Sequence, residues 1–186
     1  MITRSACLLL ALALPAVAAD KKLGGVKSVT ASFEPAEAKP GQVVTFKLTV
    51  ELEDGYHTYP LVQLDKQAEG MVNKLEFPAP GGVIFVGDPL DPANPKSKAE
   101  PALGITEMLY YPGTAVYERK AVVSPKAAAG EQAVKIPNFT LTVCDKDNCF
   151  PPKKLAPEAK LKVLDGPAVA VDKKYAAEVE KALKDK

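Results

Sequence analysis

The segment Thr140-Leu141-Thr142-Val143-Cys144-Asp145-Lys146-Asp147-Asn148-Cys149-Phe150-Pro151-Pro152 constrains the fold of this chain more than any other. Leu141 and Val143 alternate with Thr140 and Thr142, the period of a β-strand with one apolar face. That strand runs into Cys144. Four polar residues of turn type, Asp145 to Asn148, separate it from Cys149, and a loop of that length most simply closes a β-hairpin. Such a hairpin sets Cys144 and Cys149 opposite each other, with both thiols on one face. Opposed Cα atoms in an antiparallel pair lie about 4.5–5.5 Å apart, a span that a disulfide can bridge. Pro151 and Pro152 have no N–H to give to a ladder, so pairing is expected to end there. The sequence thus places two thiols within bonding distance at the exposed end of a sheet.

Whether that bond is a staple or a reagent turns on magnitude. Closing so short a loop removes only about 2 kcal/mol of entropy from the unfolded chain. A mature chain of this length buries roughly two-thirds of its unfolded surface without help. A staple adds little here, which favours redox chemistry. A structural bond in a binding or scaffold module is the alternative. No cofactor or metal is expected, because two sulfurs need two further ligands. The chain holds one histidine, His57, and its third cysteine is Cys7.

Residues 1–19 carry the pattern of an export signal. Arg4 supplies the positive end, Ala6 to Leu14 the apolar run, and Ala16-Val17-Ala18 the small-residue cleavage site, with Ala19 an equal candidate for the last residue. The run is too short to span a bilayer, so a periplasmic or secreted protein without stable membrane insertion is expected. Cys7 belongs to the signal, and cleavage leaves an even pair of cysteines in an oxidising compartment. With Arg4 gone, the rest of the 24 Lys and Arg balance the 23 Asp and Glu. No basic patch stands out, and nucleic acid is not an expected partner.

Residues 20–166 are expected to form one domain and residues 167–186 a helical tail. The 17 prolines, about twice average usage, argue for short strands joined by turns. Val44 to Leu52 is the clearest half-buried strand, with Phe46, Leu48, Val50 and Leu52 on its inner face. Further strands are expected at Val26–Phe33, Leu75–Phe77, Val83–Phe85, Met108–Tyr111, Val116–Val123, Ala133–Cys144 (interrupted at Pro137) and Ala159–Leu164. Asp54-Gly55 turns the chain into Tyr56-His57-Thr58-Tyr59. Residues 87–104, with four prolines and few large apolar side chains, are expected to be a long loop or a flexible insertion. Asp172 is placed as the cap of a final helix with Tyr175, Val179 and Leu183 in one apolar stripe. The pattern predicts an all-β antiparallel sandwich with a short C-terminal helix.

The order of these features resembles the N-terminal periplasmic domain of the thiol:disulfide interchange protein DsbD. The likeness runs from Phe33 to Leu164. Its most specific part is VCDKDNCFPP, Val143 to Pro152, and EDGYHTY, Glu53 to Tyr59, supports it. The resemblance implies an immunoglobulin-like β-sandwich with the cysteines at one end. It also implies protein-disulfide reductase-like electron transfer. Electrons would come from a membrane donor on a separate chain and pass to periplasmic thioredoxin-like or disulfide-isomerase-like proteins. Residue by residue, Cys149 matches the cysteine that forms mixed disulfides with partners, and Cys144 the one that resolves them. YYPGTAVYER, Tyr110 to Arg119, matches the segment that shields the pair, which makes Tyr110 the cap and Tyr111 its neighbour. Tyr56 and Tyr59 match aromatics that flank the cysteines, and Phe150 presents an apolar contact beside Cys149. The best-known members have five residues between the cysteines, where this chain has four. They also carry acids before the cap aromatic, where this chain has Met108 and Leu109 and keeps only Glu107.

On the residues alone, Tyr56, Tyr59, Tyr110 and Tyr117 read at least as readily as core or edge aromatics. His57 reads as an exposed strand residue, Asp145 and Asp147 as turn formers, and the terminal helix as a packing appendage. Lys146, Lys153 and Lys154 are the only cations close in sequence to the thiols, and no helix N-terminus is. Reaction is therefore expected to depend on docking and not on a strongly acidified thiol.

Overall fold

The computed structural model describes residues 24–185. The expected export signal at residues 1–19 lies outside them. The described residues form fourteen strands: β1 (Val26–Glu34), β2 (Glu37–Ala38), β3 (Val43–Leu52), β4 (His57–Thr58), β5 (Lys74–Glu76), β6 (Val83–Leu90) and β7 (Lys96–Glu100) in the first half. β8 (Ile105–Pro112), β9 (Thr114–Val123), β10 (Gly130–Lys135), β11 (Asn138–Leu141), β12 (Val143–Cys144), β13 (Lys153–Leu155) and β14 (Glu158–Val163) follow. Helix α1 (Ala176–Lys184) closes the chain. Among the described residues no helix is long and apolar enough to cross a membrane.

The period-2 pattern of β3 decides the architecture. Phe46, Leu48, Val50 and Leu52 are buried, while the residues between them are half-buried or exposed. β3 pairs with β1 on one side and β9 on the other, and β6 completes a sheet of order β1-β3-β9-β6. Across from it run β10-β14-β2 and β13-β11-β5. Phe33, Phe46, Leu48, Val50 and Tyr117 of the first sheet share one core with Phe139, Leu141, Ala159, Leu161 and Val163 of the other two. Each large side chain so buried contributes about 1.5–3 kcal/mol. Phe46 sits edge-on to Phe33, Phe77 and Phe85, with ring centroids 5.7, 5.9 and 5.5 Å away. The result is an immunoglobulin-like β-sandwich, antiparallel except for β14 and β2. A small sheet of order β12-β4-β8-β7 carries Cys144.

Three expectations are corrected. Residues 87–104 are not a long loop: β6 extends to Leu90, and β7 pairs with β8. Both strands are sheet edges. β6 shifts register between Val86 and Leu90, which accommodates Pro89. β7 is built of Lys96, Ser97, Lys98, Ala99 and Glu100, the charged composition of an edge, which hides the apolar alternation of a strand. Nor does pairing end at Pro151-Pro152. It resumes in β13, where Lys153 and Leu155 lie opposite Leu141 and Phe139. β13 is also an edge, so the two prolines interrupt the ladder without ending it. Asp172, finally, does not cap α1. Its carboxylate accepts the Lys174 N–H at 2.9 Å, and the helix starts later, at Ala176. The stripe itself packs as expected, with Tyr175 and Val179 on Ile84, Val86 and Val122 and Leu183 half-buried beside them.

Candidate functional site

The strand that carries Cys144 changes sheets just before it. β11 pairs with β5 and β13, whereas β12 pairs with β4. Thr142 sits at the break, and side chains satisfy its backbone. Its N–H donates to Asn73 Oδ1 at 2.7 Å, and its carbonyl accepts from Thr58 Oγ1 at 2.8 Å. Alternation then places Leu141 and Val143 in the main core, and turns Cys144 to a separate cluster with Tyr59, Ala68, Ile105 and Met108.

Cys144 and Cys149 are joined by a disulfide, with Cα atoms 4.0 Å apart, and face each other as an isolated antiparallel bridge. The turn between them is built by Asp145. Its carboxylate accepts the N–H groups of Asp147 and Asn148, both at 2.7 Å, which holds it below the usual carboxylate range. Burial divides the two sulfurs. Cys144 is 1 % exposed, between β4 and the cluster beneath it. Cys149 lies on the surface at the end of the turn.

Tyr59 is the polar side chain at the bond. Its hydroxyl donates to Cys144 Sγ at 3.1 Å and lies 3.8 Å from Cys149 Sγ. Burial, with Glu100 adding to it, pushes the phenol up to about 12, so it stays protonated at neutral pH. The same hydroxyl lies 3.3 Å from His57 Nε2. His57 is directly opposite Cys144 in the β4–β12 pair. It is 8 % exposed, which corrects the expectation of an exposed strand residue. Burial, and then the Lys98 charge, lower its pKa against the opposing pull of Asp145 and Glu100.

Tyr110 is half-buried on β8 and packs against the Cys144 cluster. Its ring lies 5.1 Å from that of His57, and Lys98 Nζ sits 5.8 Å from its centroid. Tyr110 stands in a paired strand, as expected for Met108–Tyr111, opposite Lys96. Tyr111, one residue on, points the other way, into the main core. Burial pushes its phenol up to about 12. Tyr56 and Tyr59 part in the same manner. Tyr56 packs with Phe150, ring centroids 5.9 Å apart, over the backbone of Gly25. That glycine has φ +75°, and a Cβ there would run into the Tyr56 ring.

Several residues that the sequence reading passed over build this site. Asn73 is 1 % exposed. Its Nδ2 shares two protons among Thr58 Oγ1, the Tyr59 carbonyl and the Tyr117 hydroxyl, at 2.8, 2.8 and 2.7 Å. Tyr117 donates to the Tyr59 carbonyl at 2.6 Å. Gln63 clasps β8 through both backbone groups of Leu109, at 2.8 and 2.9 Å. Asp65 accepts from the Thr106 N–H and hydroxyl, both at 2.8 Å. Ala68 and Met71 of this segment then pack on the Cys144 cluster. Short polar side chains in a loop carry no periodic signal, so only the position of His57, two residues from Tyr59 and hence on its face, was available to find any of them.

No protein-family model matches the chain, and no curated protein does. Among solved structures it is similar to the N-terminal periplasmic domain of ScsB from Proteus mirabilis, at 15 % identity and a TM-score of 0.45. The match covers 84 % of this chain and 51 % of that one, so the chain spans about half the length of the structure it resembles.

Proposed function

We propose that the protein is an exported thiol:disulfide exchange module that carries electrons on Cys144 and Cys149. The observation that supports this reading is the division between the two sulfurs. One is exposed at a turn, where another protein can reach it. The other is enclosed against a hydroxyl donor. A pair serving only to close a four-residue loop has no need of that asymmetry.

In the reduced protein the Cys149 thiolate attacks a partner's disulfide, forming a mixed disulfide and releasing one partner thiolate. Cys144 then attacks Cys149 Sγ, which restores the internal bond and frees the second partner thiol. Two electrons pass to the partner, and the two thiol protons of the module balance the two partner thiols formed. Thioredoxin-like or disulfide-isomerase-like proteins of the periplasm are the proposed acceptors, and a membrane protein on a separate chain the proposed donor. Tyr110, with Tyr59 and Phe150 around the pair, would limit access until a partner displaces it.

Trapping tests the assignment. With Cys144→Ser, an oxidised thioredoxin-fold partner should accumulate as a stable adduct through Cys149. Cys149→Ser should trap little or none. A stable adduct through Cys144 alone would reverse the roles, and the absence of any adduct would count against exchange altogether.

A further inference from the structure

Resolution of the mixed disulfide needs a thiolate at Cys144, yet this sulfur is enclosed, and among the described residues its polar contact is the Tyr59 hydroxyl. Burial in apolar surroundings holds a thiol protonated. The proton therefore needs an acceptor within reach. The Tyr59 hydroxyl touches Cys144 Sγ at 3.1 Å, and His57 Nε2 lies 3.3 Å beyond it. A hydroxyl both donates and accepts, and a neutral imidazole nitrogen accepts. The three groups can thus reverse the direction of their hydrogen bonds together.

We infer that His57 Nε2, acting through the Tyr59 hydroxyl, takes up the proton that Cys144 loses as it resolves a mixed disulfide at Cys149. This rests on the exchange reading above. In the step, the Cys144 S–H proton passes to the Tyr59 oxygen, and the Tyr59 proton passes to His57. The freed sulfur pair forms the Cys144–Cys149 bond, and the Cys149–partner bond breaks with its electrons leaving on the partner sulfur. That thiolate takes a proton from water, and His57 returns one to water. Tyr59 touches the reacting sulfur, while His57 acts through it as a positioning and proton-holding residue.

The surroundings of His57 suit the role. Tyr110 of β8 packs against the ring in a T-shaped contact. Lys98 and Glu100 of β7 act on it with opposite signs and are paired with each other at 2.9 Å. Asp145, on the turn after Cys144, favours the protonated ring, whereas burial keeps it neutral until a proton arrives. A disulfide that only stapled the turn would gain nothing from a titratable ring joined to it through a phenol.

The test uses the reduced protein and dithiobis(nitrobenzoate) as the oxidant. The first thionitrobenzoate released reports attack by Cys149, and the second reports resolution by Cys144. In the wild type, the second phase should rise with pH through an inflection below about 6.5, the ordinary histidine value, and then level off. His57→Gln keeps a hydrogen-bonding group without a titration. It should lose that inflection and resolve about 100-fold more slowly at pH 7, gaining rate only toward a thiol value of about 8.5. Tyr59→Phe should behave alike. His57 is the only histidine in the chain, so its imidazole resonances are assigned by inspection. Their titration midpoint should differ between the reduced and oxidised wild type, which decides the matter even if a variant does not fold. Wild-type pH profiles in both variants would overturn the relay, as would equal slowing at every pH or an unmoved midpoint. A wild type that never releases the second thionitrobenzoate would overturn the exchange reading itself, and the relay with it.

Discussion

Asn73→Ala should be among the most costly substitutions available outside the hydrophobic core. The Asn73 side chain joins three segments that meet behind the disulfide. Its Oδ1 holds the Thr142 N–H, and its Nδ2 serves Thr58, the Tyr59 carbonyl and Tyr117. Alanine leaves the Thr142 N–H buried and unpaired, at a cost of about 1–3 kcal/mol. The Tyr59 carbonyl keeps its bond from Tyr117, so the other losses are smaller, about 0.5–1.5 kcal/mol each. Partial relaxation leaves a net loss of about 3 kcal/mol, a large fraction of the roughly 5–15 kcal/mol that stabilises a typical domain. With a urea dependence of about 2 kcal/mol per molar, the midpoint should fall by about 1.5 M. The chain has no tryptophan, so far-UV circular dichroism is the suitable signal, with the disulfide kept oxidised. Thr142→Ala is the control. It retains the backbone bond to Asn73 and removes only a hydroxyl whose contact, with the Val72 carbonyl, is 3.4 Å long, so it should cost well under half as much. An Asn73→Ala midpoint within about 0.5 M of the wild type would show that Asn73 does not hold the strand break, as would a Thr142→Ala variant that is equally damaged.

Replacing both Cys144 and Cys149 with serine should cost about 2 kcal/mol in the same denaturation assay and leave a folded domain, because the loop they close is short; a double variant that cannot fold would mark the bond as a staple. Tyr110→Ala in the Cys144→Ser background should speed adduct formation with a thioredoxin-fold partner, read by non-reducing gels over time, if the ring shields Cys149; an unchanged rate would reduce it to a packed surface aromatic. Asp65 is held down to about 2 from 3.8 by the Thr106 hydroxyl and by the N–H groups of Gln67, Thr106 and Glu107. A depressed carboxylate stabilises above its unfolded value and loses that contribution as pH falls through the folded one. Amide exchange at Thr106 and Glu107, relative to Asp65→Asn, should therefore show protection at pH 5 that fades between about 4 and 2; protection that persists in Asp65→Asn would contradict it.

Periodicity carried the sequence reading as far as packing alone decides structure. β3 shows its buried face in four alternating apolar residues, and α1 shows its stripe in Tyr175, Val179 and Leu183. The cysteine hairpin was legible because a short polar turn leaves two flanking residues little choice but to face each other. β7 was not legible, since a charged edge strand has no apolar side to display. His57 has no cysteine or carboxylate at ligand spacing in the sequence, which points to an exposed strand residue, yet it is buried. Its ring packs against Tyr59 and against Tyr110 of β8, and the second of these contacts is supplied by tertiary structure. Asn73 was invisible for a related reason. An asparagine in a loop usually marks a turn, and nothing local shows that this one meets a strand break about seventy residues away in the chain.

The reduction potential of the Cys144–Cys149 pair separates an exchanging disulfide from a structural one. The protein would be equilibrated with graded glutathione and thioredoxin couples, acid-quenched and alkylated, and the fraction reduced counted by mass. An exchanging pair should give a potential above about −300 mV and be reduced measurably within that series. A pair that stays oxidised throughout, at the potentials of structural disulfides, would show that Cys144 and Cys149 do not exchange.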